Sequence, residues 1–193
     1  MLADGRVLAL RPHLLAAIEE AAREVCGGAF GEFFDGTMRG VLVEAFERAG
    51  AHEGTVWLLD AERTALIPRF NSGPQAAQFV GTFRQSLRAG MIAMVAATEQ
   101  PVCENEVCFN ARQDRTLDER LNVRTWAMIA VPLHFAGGLR GVISCVKIAG
   151  DGPPPPGFTA SHLGGMQRAA AVISRLMEHR LFALCLGLEE AAG

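Results

Sequence analysis

Two long apolar runs dominate the hydrophobic pattern of the chain, Trp126 to His134 and Leu139 to Ile148. Gly137-Gly138 lies between them and can adopt the positive φ angles that a tight hairpin needs. Neither run alternates strictly between apolar and polar residues, as a strand wet on one face would. We therefore expect an inner antiparallel hairpin with helices on at least one side. Pro132 cannot donate to a ladder, which predicts a bulge or an unpaired side at that point.

Helical spacing precedes this hairpin in three places. Residues 11–26 and 35–48 place apolar side chains three and four positions apart, and glycines follow both segments. Residues 75–98 are predicted to be mostly helical, with a break at Gly90. Residues 54–60 and 65–70 read as a second hairpin.

The pattern then predicts a short edge strand at 101–103 and a polar, irregular stretch at 104–123, with one helical turn at 115–121. A last helix begins near Phe158, with Thr159 or Ser161 as its N-cap. Its apolar stripe keeps near-heptad spacing over Leu163, Met166, Ala170, Ile173 and Met177. This stripe fits either a helix packed on its own sheet or a dimer seam shared with the N-terminal helix.

Composition narrows the class of protein. The 193 residues are 50% hydrophobic and carry a net charge of -3, so a nucleic-acid partner is not expected. No apolar run is long enough for a membrane span, and residues 1–6 lack the pattern of a signal peptide. We therefore expect a cytoplasmic protein without membrane contact. The five cysteines form no CxxC pair, which argues against a disulfide scaffold or a structural zinc site.

Five short segments stand out along the chain: Gly54-Thr-Val-Trp-Leu-Leu-Asp60, Phe70-Asn-Ser-Gly73, the run from Gly90 to Val102, Ala130-Val-Pro-Leu133 and Gly141-Val-Ile143. Their sequences and their order resemble those of the GAF domain. The resemblance spans about residues 35–185. It implies an α+β fold with a central antiparallel sheet of five or six strands, helices packed on it and a long C-terminal helix. We expect an N-terminal helical extension at 1–30, the GAF domain at 31–187 and a tail at 188–193.

The loop before the central hairpin is similar to that of cyclic-nucleotide-type GAF domains. Asn110, Asp118 and Glu119 match that subgroup, whereas Ala111 replaces its lysine. By this resemblance Asp118 and Thr125 would lie near a bound purine or phosphate. Two residues depart from the subgroup. Leu121 stands where the subgroup offers a hydroxyl, and Ser144 stands where a strand carboxylate often contacts the ligand.

The family's pocket lies between the sheet and the helix and loop of residues 90–125. The residues that we expect to line a ligand site are Thr55, Trp57, Phe70, Ile92, Met94, Cys103, Asp118, Thr125, Trp126, Met128 and Ser144. Such sites are mostly apolar with a few converging polar groups. Large side chains filling the same space are the alternative.

Cys103 and Cys108 are the residues most suggestive of chemistry. Two loop thiols near a pocket are compatible with a reversible disulfide or a metal, and free methionine-(R)-sulfoxide reductases use loop cysteines on this fold. However, the spacing is not that of a zinc pair, and Glu104 and Glu106 are expected to raise the thiol pKa. No nucleophile with an adjacent base stands out elsewhere.

The sequence therefore predicts a stand-alone sensor or regulatory GAF domain rather than an enzyme. We expect it to bind a small molecule, to form a homodimer through its terminal helices, or both. The sequence indicates no metal site, and it does not identify a cofactor or ligand. A cyclic-nucleotide-binding regulator is the first alternative, and a redox-active protein such as a free methionine sulfoxide reductase is the second.

Overall fold

The structure, a computed structural model, describes residues 5–188 and divides them into six helices and six strands. The helices are α1 (Gly5–Cys26), α2 (Phe30–Phe33), α3 (Gly36–Arg48), α4 (Met91–Thr98), α5 (Thr116–Leu121) and α6 (Ala160–Cys185). The strands are β1 (Glu53–Leu59), β2 (Ala65–Asn71), β3 (Gln85–Ser86), β4 (Val102–Glu104), β5 (Thr125–Phe135) and β6 (Gly138–Ile148). Short 3-10 turns lie at Ala76–Gln78 and Val107–Phe109.

The six strands form one antiparallel sheet in the order β3-β2-β1-β6-β5-β4. The predicted α+β architecture, with a central antiparallel sheet and a long C-terminal helix, is confirmed. β5 and β6 form the central hairpin, but Ala136 and Gly137 carry its positive φ angles, one residue earlier than the predicted pair. Pro132 pairs with Val142 and lies beyond the residues of β5 that pair with β4. Its missing N–H therefore breaks no ladder on that side.

Helices α1, α3 and α6 cover one face of the sheet, which we call the helix face. Ile129, Ile143 and Cys145 are fully buried there. The apolar stripe of α6 packs on this face too, and its members Met166, Ala170, Ile173 and Met177 are buried. This stripe is therefore used within the fold and does not provide a dimer seam. Dimerisation through other surfaces of the terminal helices stays a prediction.

Side-chain caps fix where two of these helices begin. The Asp35 carboxylate accepts from the Met38 N–H at 2.9 Å at the start of α3. Thr159 and His162 form a capping box at the start of α6, which confirms Thr159 as the N-cap. Both caps satisfy N–H groups that the first turn of a helix leaves unpaired.

The predicted helix over 75–98 is wrong in its first half. Only a 3-10 turn forms at Ala76–Gln78, and Gln85 pairs with Leu66 as part of β3. Phe79 and Phe83 are four residues apart, as on a helix, but both are buried beside Trp57 with ring centroids 6.5 and 6.3 Å away. Tertiary burial, not helix amphipathicity, explains their spacing.

The domain boundaries expected at residues 30 and 187 stay predictions, and residues 1–4 and 189–193 of the predicted extension and tail lie outside the described residues. The N-terminal helix starts earlier than expected, so that Pro12 lies inside it. Between residues 5 and 188, no helix has the length and apolar character needed to cross a bilayer.

Candidate functional site

The second face of the sheet lies under a cover made of residues 76–84, 87–98 and 105–124. A cavity of about 70 Å³, measured over the positions open to the centre of a water molecule, separates cover and sheet. Its sheet side is lined by Glu53, Thr55, Trp57, Gln85, Thr125, Met128, Ser144, Val146 and Ile148. Its cover side is lined by Phe79, Gly90, Met91, Ile92, Val107, Gln113, Asp114, Leu117, Asp118, Leu121 and Val123.

Strand alternation places the floor of the cavity. Glu53, Thr55 and Trp57 are two residues apart on β1, and successive side chains of a strand point to opposite faces, so these three share one face. Thr55 pairs with Ser144 on the neighbouring strand. The indole Nε1 of Trp57 donates to Ser144 Oγ at 2.9 Å, and both residues are buried. The hydrogen bond satisfies the buried indole N–H and fixes the ring as a wall of the cavity.

The end of β2 is shaped around the Glu53 carboxylate. Asn71 Nδ2 donates to Thr55 Oγ1 at 2.9 Å, and Asn71 Oδ1 accepts from the Gly73 N–H at 2.7 Å. A Cβ on Gly73 would come within 1.8 Å of Glu53 Oε2, so only glycine leaves room for the carboxylate there. Burial raises the pKa of Glu53 and the charge of Asp118 raises it further, while the Asn71 amide opposes them.

Asp118 joins the cover to the sheet. Its carboxylate accepts from the Thr125 N–H at 2.9 Å, from Thr125 Oγ1 at 2.8 Å and from Gln113 Nε2 at 3.0 Å. Asp118 lies on α5 and Thr125 is the first residue of β5. A single carboxylate thus closes the turn between the cover and the central hairpin.

Asp114 makes a second attachment. Its carboxylate accepts from Thr116 Oγ1 at 2.6 Å, from the Thr116 N–H at 3.0 Å and from Gln85 Nε2 at 2.8 Å. These hydrogen bonds hold the pKa of Asp114 below its ordinary value, the Thr116 side chain contributing most. Asp114 is therefore a carboxylate that ties the loop before α5 to strand β3.

The cavity is acidic and lacks a compensating charge. Glu53, Asp114 and Asp118 all line it, and no lysine, arginine or histidine of residues 5–188 does. These carboxylates do not form a metal cluster: no group of three His, Cys, Asp or Glu within the described chain is placed to hold an ion. The arrangement suits a ligand that donates hydrogen bonds rather than one that brings negative charge.

Seven of the expected site residues meet around this cavity, namely Thr55, Trp57, Ile92, Asp118, Thr125, Met128 and Ser144. That they bind a ligand stays a prediction. The expectation that Phe70 and Met94 line it is wrong. Phe70 pairs with Val56, so it faces the helices, where its ring centroid lies 5.3 Å from that of Phe34. Met94 follows Ile92 by two positions, about 200° around a helix, and its sulfur contacts Arg112 instead.

Cys103 and Trp126 also lie outside the cavity. Cys103 pairs with Ile129, which is buried on the helix face, so the thiol packs on that face as well. Trp126 falls in a register shift of β5 between Thr125 and Ala127. Because a bulge turns the residues after it to the other face, Thr125 and Met128 both reach the cavity while Trp126 packs against Phe109.

No cysteine of the described chain lines the cavity. Burial raises the pKa of the Cys103 thiol and the nearby Glu104 charge adds to it, as the sequence predicts for this residue. Cys108 is buried, and its Sγ accepts from Arg124 Nη2 at 3.2 Å. Burial also raises the pKa of Cys145 to about 12. Raised pKa values keep Cys103 and Cys145 in the weakly reactive thiol form at neutral pH.

Four polar lining residues were missing from the sequence expectation: Glu53, Gln85, Gln113 and Asp114. Glu53 could have been found, because it is two residues before Thr55 on the same strand and must share its face. Gln85 could not, since its strand is two residues long and carries no periodicity. Gln113 and Asp114 lie in an irregular loop whose side-chain directions depend on the tertiary fold.

Comparison with known proteins decides the family. The family model for the GAF domain matches residues 34–177, about three quarters of the chain. The chain belongs to the GAF domain family. No curated protein matches this GAF domain.

Solved structures of similar fold come from signalling proteins and from enzymes. The GAF domain of a phosphoenolpyruvate-protein phosphotransferase from Coxiella burnetii has a TM-score of 0.64 at 16% identity, over 91% of this chain and 97% of that one. The GAF-B domain of DevS from Mycobacterium smegmatis has a TM-score of 0.56 at 18% identity, over 74% of this chain and 90% of that one. Free methionine-R-sulfoxide reductase from Neisseria meningitidis, solved with its substrate, has a TM-score of 0.56 at 17% identity, over 97% of this chain and 96% of that one. At these identities the likeness shows the fold alone.

Proposed function

We propose that this GAF domain is a sensor or regulatory domain that binds a small molecule between its sheet and its cover. The observation that carries this is the cavity itself. It is walled by apolar side chains such as Trp57 and Ile92, and among its lining residues is Gln113, whose buried Oε1 has no hydrogen-bond partner within the described chain. Mostly apolar cavities with a few converging polar groups are typical of ligand sites.

The cover has a direct connection to α6, through which binding can be passed on. Asn105 Nδ2 donates to the Phe158 carbonyl at 3.0 Å, and its Oδ1 accepts from the Phe158 N–H at 2.6 Å. A Cβ on Gly157 would come within 2.6 Å of Asn105, so glycine permits this approach. Phe158 immediately precedes Thr159, the N-cap of α6. We infer that a shift of the cover moves the start of α6 through this pair of hydrogen bonds.

A cyclic nucleotide fits the cavity poorly. Its phosphate is an anion, and the described lining offers three carboxylates and no cation to pair with it. The cavity, at about 70 Å³, is also far below the roughly 300–1,000 Å³ of sites for drug-sized ligands. We therefore favour a smaller ligand without a phosphate.

Sulfoxide reduction by cysteines is the second alternative, and the geometry does not favour it. The reaction needs a thiol beside the bound sulfoxide, yet Cys103 lies on the helix face and Cys108 lies outside the cavity lining. We therefore infer a regulatory role without turnover. Consumption of free methionine sulfoxide that is abolished by Cys103→Ser or Cys108→Ser would overturn that inference.

Native mass spectrometry of the protein purified from its own cells tests the proposal first. A small bound mass that is lost on denaturation is the expected result. Adding the released molecule back to the apo protein is then expected to slow hydrogen exchange in residues 105–124 and at the start of α6. An apo mass together with unchanged exchange in the presence of the cell's small-molecule extract would overturn the proposal.

A substitution at Asn105 tests whether its hydrogen bonds pass the effect of binding from the cover to α6. Asn105→Ala is expected to keep ligand binding but to lose the change in hydrogen exchange at residues 158–165. Glu106→Ala, an exposed neighbour, is the matched control and is expected to behave as the wild type. Retention of the α6 response in Asn105→Ala would show that the signal takes another route.

A further inference from the structure

We propose that the cavity selects a compact organic cation that carries several N–H donors, such as an amine, an amidine or a guanidinium compound. The inference rests on the proposed function, because it assigns the chemistry of the same site. Glu53 is the carboxylate that selects the cation, and Gln113 is a second acceptor. Glu53 has a hydrogen bond from the Asn71 amide but no cationic partner in the cavity lining, and Gln113 Oε1 is buried without a partner within the described chain.

The three carboxylates of the cavity differ in how fully protein donors occupy them. Asp118 accepts three hydrogen bonds from Thr125 and Gln113, and Asp114 accepts three from Thr116 and Gln85. Glu53 has one hydrogen-bond donor among the described residues, the Asn71 amide. Its carboxylate is therefore the one most available to an incoming donor. A partly buried carboxylate without a cation is costly, and a bound cation offsets that cost.

Gln113 supplies a neutral acceptor. Its Oε1 is buried and has no hydrogen-bond partner within the described chain. The orientation of the amide is not interchangeable, because Nε2 donates to Asp118 Oδ2 at 3.0 Å and a flip would place two acceptors together. A buried unsatisfied acceptor is uncommon in folded proteins. A ligand N–H satisfies it, whereas a ligand carbonyl or carboxylate does not.

The volume limits the size of this cation. The cavity of about 70 Å³ is far smaller than the roughly 300–1,000 Å³ of sites for drug-sized ligands, so it suits only a compact ligand. A small planar cation meets that limit. The faces of such a cation would meet the apolar walls formed by Trp57, Ile92 and Met128.

A bare metal ion is a poorer match for the same groups. The oxygens of Asp114 and Asp118 already accept from N–H and O–H donors, and the described carboxylates do not converge on one point. A metal ion would need several of these oxygens at once, at about 2.0–2.6 Å. An organic cation needs only separated acceptors around its edge.

Isothermal titration with three probes of similar size tests whether the cavity prefers a positively charged ligand. Methylguanidinium is a cation with N–H donors, methylurea is its neutral analogue, and acetate is an anion. We expect saturable binding of methylguanidinium, binding of methylurea that is at least about tenfold weaker, and none of acetate. Methylurea binding as tightly as methylguanidinium, or no saturable binding of methylguanidinium, would overturn the proposal. This comparison needs no variant, so it does not depend on how a mutant folds.

Glu53→Gln then tests the residue. It is expected to weaken methylguanidinium binding by about ten- to a hundredfold, since hydrogen bonds to a charged group are the strong ones. Glu62→Gln, which changes an exposed glutamate outside the cavity lining, is the control and is expected to leave binding unchanged. Equal affinity in Glu53→Gln and the wild type would overturn the role of Glu53.

The two proposals fail in different ways. A neutral or anionic molecule found in the cavity by native mass spectrometry would overturn the cation while the sensor function stands. An apo protein that binds neither methylguanidinium nor any molecule of the cell extract would overturn both.

Discussion

The two faces of the sheet treat buried charge in opposite ways. On the helix face Arg140 is buried, and its guanidinium donates to both carboxylate oxygens of Glu19 and to the carbonyls of Phe135 and Ala136. Lys147 is also buried there and donates to the Pro156 carbonyl at 2.8 Å. On the cover face three carboxylates line a cavity that no cation of the described chain reaches.

The difference separates what the molecule needs for folding from what it keeps for binding. Charges on the helix face have internal partners, so that face is complete without a ligand. The cover face retains an unbalanced carboxylate and an unsatisfied amide oxygen, which lowers stability unless something binds. Binding sites commonly contain such destabilising features, and good packing in the rest of the fold offsets them.

The largest expected effect compares two isoleucines of β6. Ile143 is fully buried on the helix face, whereas Ile148 is half-buried and lines the cavity. Ile143→Ala leaves a new void in a filled core and is expected to cost about 2–5 kcal/mol. Ile148→Ala enlarges a space that already exists, so we expect about 1 kcal/mol or less. Urea unfolding of the two variants measures both, and equal costs would contradict the distinction between the faces.

Asp118→Ala tests the attachment of the cover. The substitution leaves the Thr125 N–H, the Thr125 hydroxyl and the Gln113 amide without their acceptor. We expect a loss of about 1–3 kcal/mol, because part of this site can take up water. Hydrogen exchange is expected to quicken in residues 113–125 and to stay unchanged in residues 166–185 of α6, which lie beyond its contact with the cover. Glu119→Ala, an exposed neighbour on the same helix, is the control, and quicker exchange there as well would point to general loosening of α5.

Regular periodicity made most of the fold predictable. The two apolar runs predicted the central hairpin, and one of the two N-cap candidates, Thr159, marked the start of α6 because capping is a local interaction. The error over 75–98 arose where two buried phenylalanines imitated helical spacing. Local patterns do not show which neighbour an apolar side chain meets, and that choice is made by the tertiary fold.

The site was less predictable than the fold for a related reason. Thr55, Trp57, Asp118 and Thr125 were all expected from the resemblance to the family. Strand alternation explains why Thr55 and Trp57 share the cavity face. Trp126 was wrong because a single-residue bulge shifts every later side chain of β5 to the other face, and a bulge leaves little trace in the sequence.

Glu19→Gln tests the paired charge of the helix face. The hydrogen bond from Arg140 holds the pKa of Glu19 below its ordinary value of 4.5, so its contribution to stability is present above that pH and is lost as pH falls through the lowered value. We expect a cost of about 0.5–1 kcal/mol at neutral pH, since the Glu19 side chain is 45% exposed. Thermal melts at neutral and acidic pH measure it. Glu20→Gln is the control, and a cost that persists unchanged in acid would contradict the assignment.

Glu53→Gln is expected to change the free energy of unfolding least, and to raise it, whereas the other substitutions lower it. Burial and the Asp118 charge raise the pKa of Glu53, so the folded state favours its protonated form. The stability that protonated Glu53 supplies is fully present below the unfolded pKa near 4.5 and is lost as pH rises through the raised value. In the apo protein at neutral pH the neutral glutamine is therefore expected to stabilise the fold, by less than about 1 kcal/mol, and this gain is expected to disappear in acid. Thermal melts of the wild type and of Glu53→Gln across pH measure this difference in stability. With a saturating cationic ligand the wild type is expected to become the more stable of the two, because the ligand binds its carboxylate. A destabilised Glu53→Gln in the absence of ligand would show that the carboxylate has a structural partner, and the contrast between the two faces would then not hold at this residue.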